Sequence, residues 1–236
     1  MRKQLSLIAA AALLLAGCGN RNDSSARAEN TETLSGKEET AEPSPAAEGP
    51  VVSTEPAAEA DSAAGTLVIY FSRTGEQYTV GRIEKGNTEI VAEMIAEQTG
   101  ASLFEVVPAE DSYPDTYDAL TDVAKKEQNE NARPAYQGTI PDLRSIDTVF
   151  IGSPVWWGDW PMIMYTVFES NDFAGKTLIP FSTHEGSGLA GFDQKLQSAC
   201  PDAEVREGLA VRGSDAQNNP DQVNKEVSAW LEGLGF

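Results

Sequence analysis

Residues 66–236 are predicted to form an α/β domain, a doubly wound parallel sheet of five strands in the order 2-1-3-4-5 with helices on both faces. Three observations predict it. Residues 67–71 read Leu-Val-Ile-Tyr-Phe, an unbroken apolar run bounded by polar residues, as expected of a strand covered on both faces. Runs of this kind alternate with segments of helical periodicity along the domain, and that alternation implies parallel pairing. Loops rich in Gly, Ser and Thr follow the first, third and fourth strands, at the sheet end where ligands bind in this architecture.

The elements follow in order. Strand one, 67–71, leads to a helix that starts at Asn87 or Thr88. Its apolar stripe is Ile90, Val91, Met94 and Ile95, and Gly100 ends it. Strand two is 103–107, and a polar helix runs over about 117–131. Strand three, 148–152, precedes a helix opened by Pro161 at a first-turn position and running through Phe168. Strand four is 177–181, with a helix over about 189–199. Strand five is 204–211, and a last helix covers 220–231.

After strand one come Ser72, Arg73, Thr74 and Gly75, then a passage over 76–85, then Gly86, Asn87 and Thr88 at the helix start. Hydroxyls, free backbone N–H groups and a helix N-terminus suit a phosphate, and glycine lets the backbone approach it closely. This loop resembles the phosphate loop of flavodoxins, in which an aromatic strand end is followed by Ser/Thr-x-Thr-Gly-Asn-Thr. Here the motif is split by the insertion, as in the short-chain bacterial flavodoxin-like subfamily. After strand three come Ser153, Pro154, Val155, Trp156, Trp157 and Gly158. Two adjacent tryptophans beside a glycine offer a flat aromatic wall. Together with Pro161 the stretch resembles the loop that flanks the isoalloxazine in that family, and at least one of Trp156 and Trp157 is expected to face the flavin. After strand four come Thr183, His184, Glu185, Gly186 and Gly188, similar to the family's loop at the ring's other edge. His184, the only histidine, is expected there to donate to a flavin carbonyl or to N1. No Gly-x-Gly-x-x-Gly follows strand one, which favours noncovalent FMN over FAD or NAD. Tyr78, Arg82 and Lys85 of the insertion leave two uses open: a cover for the phosphate or a surface for a partner.

Upstream, Arg2 and Lys3 precede an apolar run over 5–15, and Leu15-Ala16-Gly17-Cys18 resembles the lipobox of bacterial lipoproteins. Residues 1–17 are therefore expected to be a signal peptide and Cys18 the lipidated N-terminus, anchoring the protein outside the cytoplasmic membrane. The signal has no twin arginine, so export unfolded, with FMN acquired afterwards, is expected. Residues 18–65 hold no Phe, Trp or Tyr, and are rich in Ala, Glu, Ser, Thr and Pro. Such a segment cannot offset the entropy of ordering its backbone, so it reads as a disordered acidic tether.

The net charge of −20 argues against nucleic acid as a partner. After Cys18 the sole cysteine is Cys200, which excludes a disulfide framework and, with one histidine, a metal cluster. Cys200 reads as an ordinary helix-end residue, with nothing basic beside it to activate the thiol. The resemblance implies a one-electron carrier, with Gly158 turning a backbone carbonyl toward N5 of the ring and the acidic surface disfavouring a further negative charge there. A redox protein or the membrane quinone pool is the expected partner, and the protein is expected to be a monomer. The rival is an FMN-dependent oxidoreductase that reduces quinones or other small acceptors. Such enzymes usually take hydride from NAD(P)H, which an exported domain would not normally meet. The third reading is a flavin-free surface binding module.

Overall fold

The computed structural model describes residues 65–110 and 113–236. The signal peptide, Cys18 and tether residues 18–64 lie outside the described residues. The strands are β1 (Thr66–Tyr70), β2 (Gly75–Gln77), β3 (Gly81–Ile83), β4 (Ser102–Glu105), β5 (Thr148–Pro154), β6 (Thr177–His184), β7 (Glu204–Val205) and β8 (Leu209–Arg212). The helices are α1 (Asn87–Thr99), α2 (Tyr117–Glu130), α3 (Met162–Ser170), α4 (Phe192–Ala199), α5 (Gly213–Asn218) and α6 (Pro220–Leu234).

The main sheet runs β4-β1-β5-β6-β7, with β8 also beside β6, and all its pairings are parallel. This is the predicted 2-1-3-4-5 order, with β7 and β8 as two pieces of strand five. The break has a local cause. Arg206 N–H donates to Leu178 O, so alternation along β6 aims the nitrogen of Pro180 at the same neighbour. Proline has no N–H to give, and the partner strand leaves the ladder over 206–208.

Strict alternation sorts the strands' side chains into two cores. Leu67, Ile69, Val149, Ile151 and Leu178 pack with Leu120 of α2, Ile163, Met164 and Val167 of α3, and Phe192 and Leu196 of α4. Val68, Tyr70, Phe150, Ile179 and Phe181 pack with Val91, Ala92 and Ile95 of α1 and Val223, Val227 and Leu231 of α6. Each Val, Leu, Ile, Phe or Met side chain among them contributes about 1.5–3 kcal/mol when fully buried.

Three details differ from the sequence reading. The helix expected from Leu189 starts at Phe192, because Ala190 and Gly191 take left-handed backbone (φ 52° and 71°). The short α5 and the β2–β3 hairpin, inside the 76–85 insertion, were not anticipated. Among the described residues, no helix is long and apolar enough to cross a membrane. Cys200 is buried, and desolvation pushes its thiol up to about 11.

Candidate functional site

The loops after β1, β5 and β6 converge beyond the carboxyl ends of the strands on a cavity of about 720 Å³. Its walls include Asn87 of α1, Pro154 to Gly158 after β5, and Thr183 to Ser187 at the end of β6. Tyr117, Leu120, Thr121 and Ala124 of α2 and Gln77 and Tyr78 of the hairpin complete it. Of the predicted residues, Asn87, Pro154, Val155, Trp156, Trp157, Gly158, Thr183, His184, Glu185 and Gly186 line it. Ser72, Arg73, Thr74, Gly75, Gly86, Thr88 and Gly188 do not.

Those seven have other placements. Ser72 Oγ accepts from Glu89 N–H at 3.0 Å, and the Glu89 carboxylate accepts from Gly86 N–H at 3.2 Å, so loop and helix start cap each other. A Cβ on Gly86 would lie 2.0 Å from Ser72 Oγ and 2.9 Å from Arg73 O, so only glycine fits. Thr88 Oγ1 is buried and bonded to Thr183 Oγ1 at 2.7 Å, tying α1 to β6. Arg73 turns toward Tyr113, donating to its carbonyl at 2.7 Å, and its buried Nε has no partner. Thr74 is exposed and its carbonyl accepts from Gln77. Gly75 opens the hairpin, and Gly188 O accepts from Ser182 Oγ. At the α1 N-terminus the N–H groups of Asn87 and Thr88 have no acceptor among the described residues, and those are the donors an anion takes at a helix start.

Trp156 and Trp157 diverge. Trp156 is wedged edge-on between Phe71 and Tyr113, with ring centroids 5.4 and 5.3 Å away. Burial, and next the nearby Glu127 carboxylate, push the Tyr113 phenol well up, so it stays protonated and donates to Glu127 at 3.1 Å. Trp157 is 53% exposed and donates from Nε1 to Thr121 O at 2.9 Å, while Lys125 Nζ sits 4.9 Å from its ring centre. Backbone bonds run both ways between Trp156 and Asp159, with Trp157 at φ 50° and Gly158 at φ 72°. Both central residues are left-handed, as a type I′ turn requires, and an aromatic residue there is a strained choice. Lys195 stabilises the turn. Its Nζ donates to Gly158 O at 2.5 Å and Ala190 O at 3.1 Å and lies 3.2 Å from the Asp159 carboxylate.

In the loop after β6, His184 Nδ1 accepts from Gly186 N–H at 2.9 Å. The proton of the neutral ring therefore sits on Nε2, the nitrogen left to donate. Burial, helped by Arg212, lowers the imidazole pKa and keeps it neutral at pH 7. Glu185 is a structural anchor: its carboxylate accepts from Ser214 N–H at 2.7 Å and Ser214 Oγ at 3.1 Å at the start of α5. Gln217 of α5 donates to Asn87 Oδ1 at 2.8 Å, which fixes that amide.

A sequence model of the flavodoxin family matches residues 65–233. The chain belongs to the flavodoxin family. This flavodoxin is similar to the crystal structure of a flavoprotein from Bacteroides eggerthii, with 28% identity and a TM-score of 0.58 over 73% of this chain and 99% of that one. A flavoprotein from Bacteroides uniformis gives 29% identity and a TM-score of 0.58 over 72% and 98%. A flavoprotein from Lactobacillus acidophilus, crystallised with FMN, shares the fold at 23% identity and a TM-score of 0.51, over 66% and 97%. No curated protein matches in sequence. FMN is the family's cofactor, and the residues present fit it: an aromatic wall, a cavity of ligand size and open N–H donors at a helix start.

Proposed function

We propose that this flavodoxin is a membrane-tethered electron-transfer protein that works outside the cytoplasmic membrane, carried on a lipid at Cys18. The observation that carries the reading is the cavity where Trp157, His184 and the α1 N-terminus meet, paired with the lipobox-like sequence ahead of the domain. Bound FMN supplies the electron chemistry, and the protein supplies placement and electrostatics. The N–H of Asn87, the residue of the α1 start that lines the cavity, holds the phosphate. Trp157 provides the flat wall, and His184 Nε2–H donates at the ring edge. The partner is a redox protein or the quinone pool of the same membrane, which a lipid-held domain meets without leaving the surface.

An anaerobic reductive titration of the full chain with FMN tests the chemistry. Two resolved one-electron steps are expected. A single two-electron step with rapid turnover of a small quinone would favour the oxidoreductase reading instead. Absence of FMN binding would leave only the binding-module reading. Labelling cells with radioactive palmitate tests the anchor: Cys18→Ser is expected to abolish incorporation and release the protein from membranes.

A further inference from the structure

The insertion that splits the phosphate loop is an antiparallel hairpin, with Gly75 opposite Ile83 and Gln77 opposite Gly81. Its base is fastened to the start of α2 in three ways. Glu76 N–H donates to Asp115 O at 2.8 Å, the Glu76 carboxylate accepts from Tyr117 N–H at 3.1 Å, and Arg82 pairs with Asp115 at 2.7 Å. A carboxylate at a helix N-terminus is favourable for the α2 dipole. Gln77 adds bonds back to the carbonyls of Arg73 and Thr74.

Both cations of the insertion are occupied by acids, Arg82 by Asp115 and Lys85 by Glu93, and neither lines the cavity. As folded, the hairpin turns neither cation to the cavity. What it brings is Tyr78. The ring is 71% exposed, lies against Tyr117 at 5.5 Å between centroids, and faces the same cavity as Trp157 and His184. Gln77, Tyr78 and Tyr117 also border an adjoining cavity of about 410 Å³, so the pair stands as a ridge at the mouth. An anchored, exposed aromatic side chain at the rim of a cavity already walled by tryptophan is suited to cover a planar ligand.

We infer that the inserted hairpin is a working wall of the FMN site and that Tyr78, backed by Tyr117, covers the isoalloxazine ring and not the phosphate. The inference rests on the FMN reading above. Its test uses the full chain, titrated separately with FMN and with riboflavin, which has the ring but no phosphate, and followed by flavin fluorescence. The unaltered protein binding neither flavin would sink the FMN reading itself. With that binding in place, Tyr78→Ala is expected to weaken FMN and riboflavin by the same factor, about three- to tenfold. It should also raise the residual fluorescence of bound FMN, whereas Tyr78→Phe should retain both affinities and the quenching. Because Tyr78 is exposed, the melting temperature of the apoprotein should be unchanged by Tyr78→Ala, and Tyr117→Ala should weaken both flavins less. Unchanged affinity and fluorescence in Tyr78→Ala would overturn the inference and leave the hairpin as a partner surface. Weakening confined to FMN would overturn it in favour of a phosphate cover.

Discussion

The loop after β5 and the loop after β1 both line one cavity and are held in shape by opposite means. The β5 loop is a four-residue turn closed by backbone bonds between Trp156 and Asp159, with Lys195 latched onto Gly158 O. The β1 loop is longer and is held by partners far away in sequence, chiefly Asp115 and Tyr117. The short turn sets its tryptophan's backbone by local geometry, whereas the hairpin places its tyrosine chiefly through the helix it leans on. The first wall is stiff because few torsions are free, and the second is stiff only while its contacts last.

The largest expected effect lies where the long loop returns to α1. Gly86→Ala would drive a Cβ to 2.0 Å from Ser72 Oγ, forcing that oxygen off the Glu89 N–H. Overpacking of this kind costs about 1–3 kcal/mol, read as a lower midpoint in urea unfolding. Pairing it with Ser72→Gly should recover part of the loss, because the double variant removes the approach to Ser72 Oγ and leaves the 2.9 Å approach to Arg73 O. A Gly86→Ala midpoint equal to that of the unaltered protein would show that loop and helix are not seated on each other.

A smaller effect is expected from Lys195→Met at the short turn. It removes the donor to Gly158 O and the partner of Asp159, both partly solvated, for a cost of about 1 kcal/mol. Amide exchange at Trp156 and Asp159, whose N–H groups close the turn, should accelerate while exchange at Glu76 in the hairpin stays the same. Acceleration in both regions alike would show that the two walls are coupled and erase the distinction drawn between them.

The same distinction explains what could be read in the sequence. The strand runs, the order of units and the position of Trp-Trp-Gly at a strand end are local signals, and each appears in the structure at or near its expected place. The hairpin was not legible, because residues 76–85 carry no Asn-Gly or Asp-Gly turn pair and no apolar alternation, and their partners lie more than 30 residues on. The break in strand five was written at Pro180, but in the neighbouring strand, so only the register reveals it. Arg73 belongs to the loop read as the phosphate loop, yet its guanidinium donates to the carbonyl of Tyr113.

The smallest expected effect concerns pH and again separates the walls, since His184 belongs to neither the turn nor the hairpin. Its pKa is lowered from 6.5 by burial and by Arg212, its register partner on β8, with Glu185 opposing. The imidazole is therefore neutral at and above pH 7, where Nδ1 can accept from Gly186 N–H. As pH falls below 6.5 the unfolded chain takes up the proton more readily than the folded one, so this group's effect on stability is absent at high pH and becomes destabilising toward acid. Once the folded imidazole is also protonated, Nδ1 carries a hydrogen and the loop bond is lost. FMN affinity should therefore be flat from about pH 7 to 8 and fall a few-fold toward about pH 5. Comparison with His184→Asn isolates the effect from carboxylates and from the FMN phosphate, whose second ionisation near about pH 6 is common to both, because the unaltered protein should show the steeper slope between about pH 5 and 7. Parallel profiles for the two proteins would remove His184 from the ring edge and leave the β6 loop with a purely structural histidine.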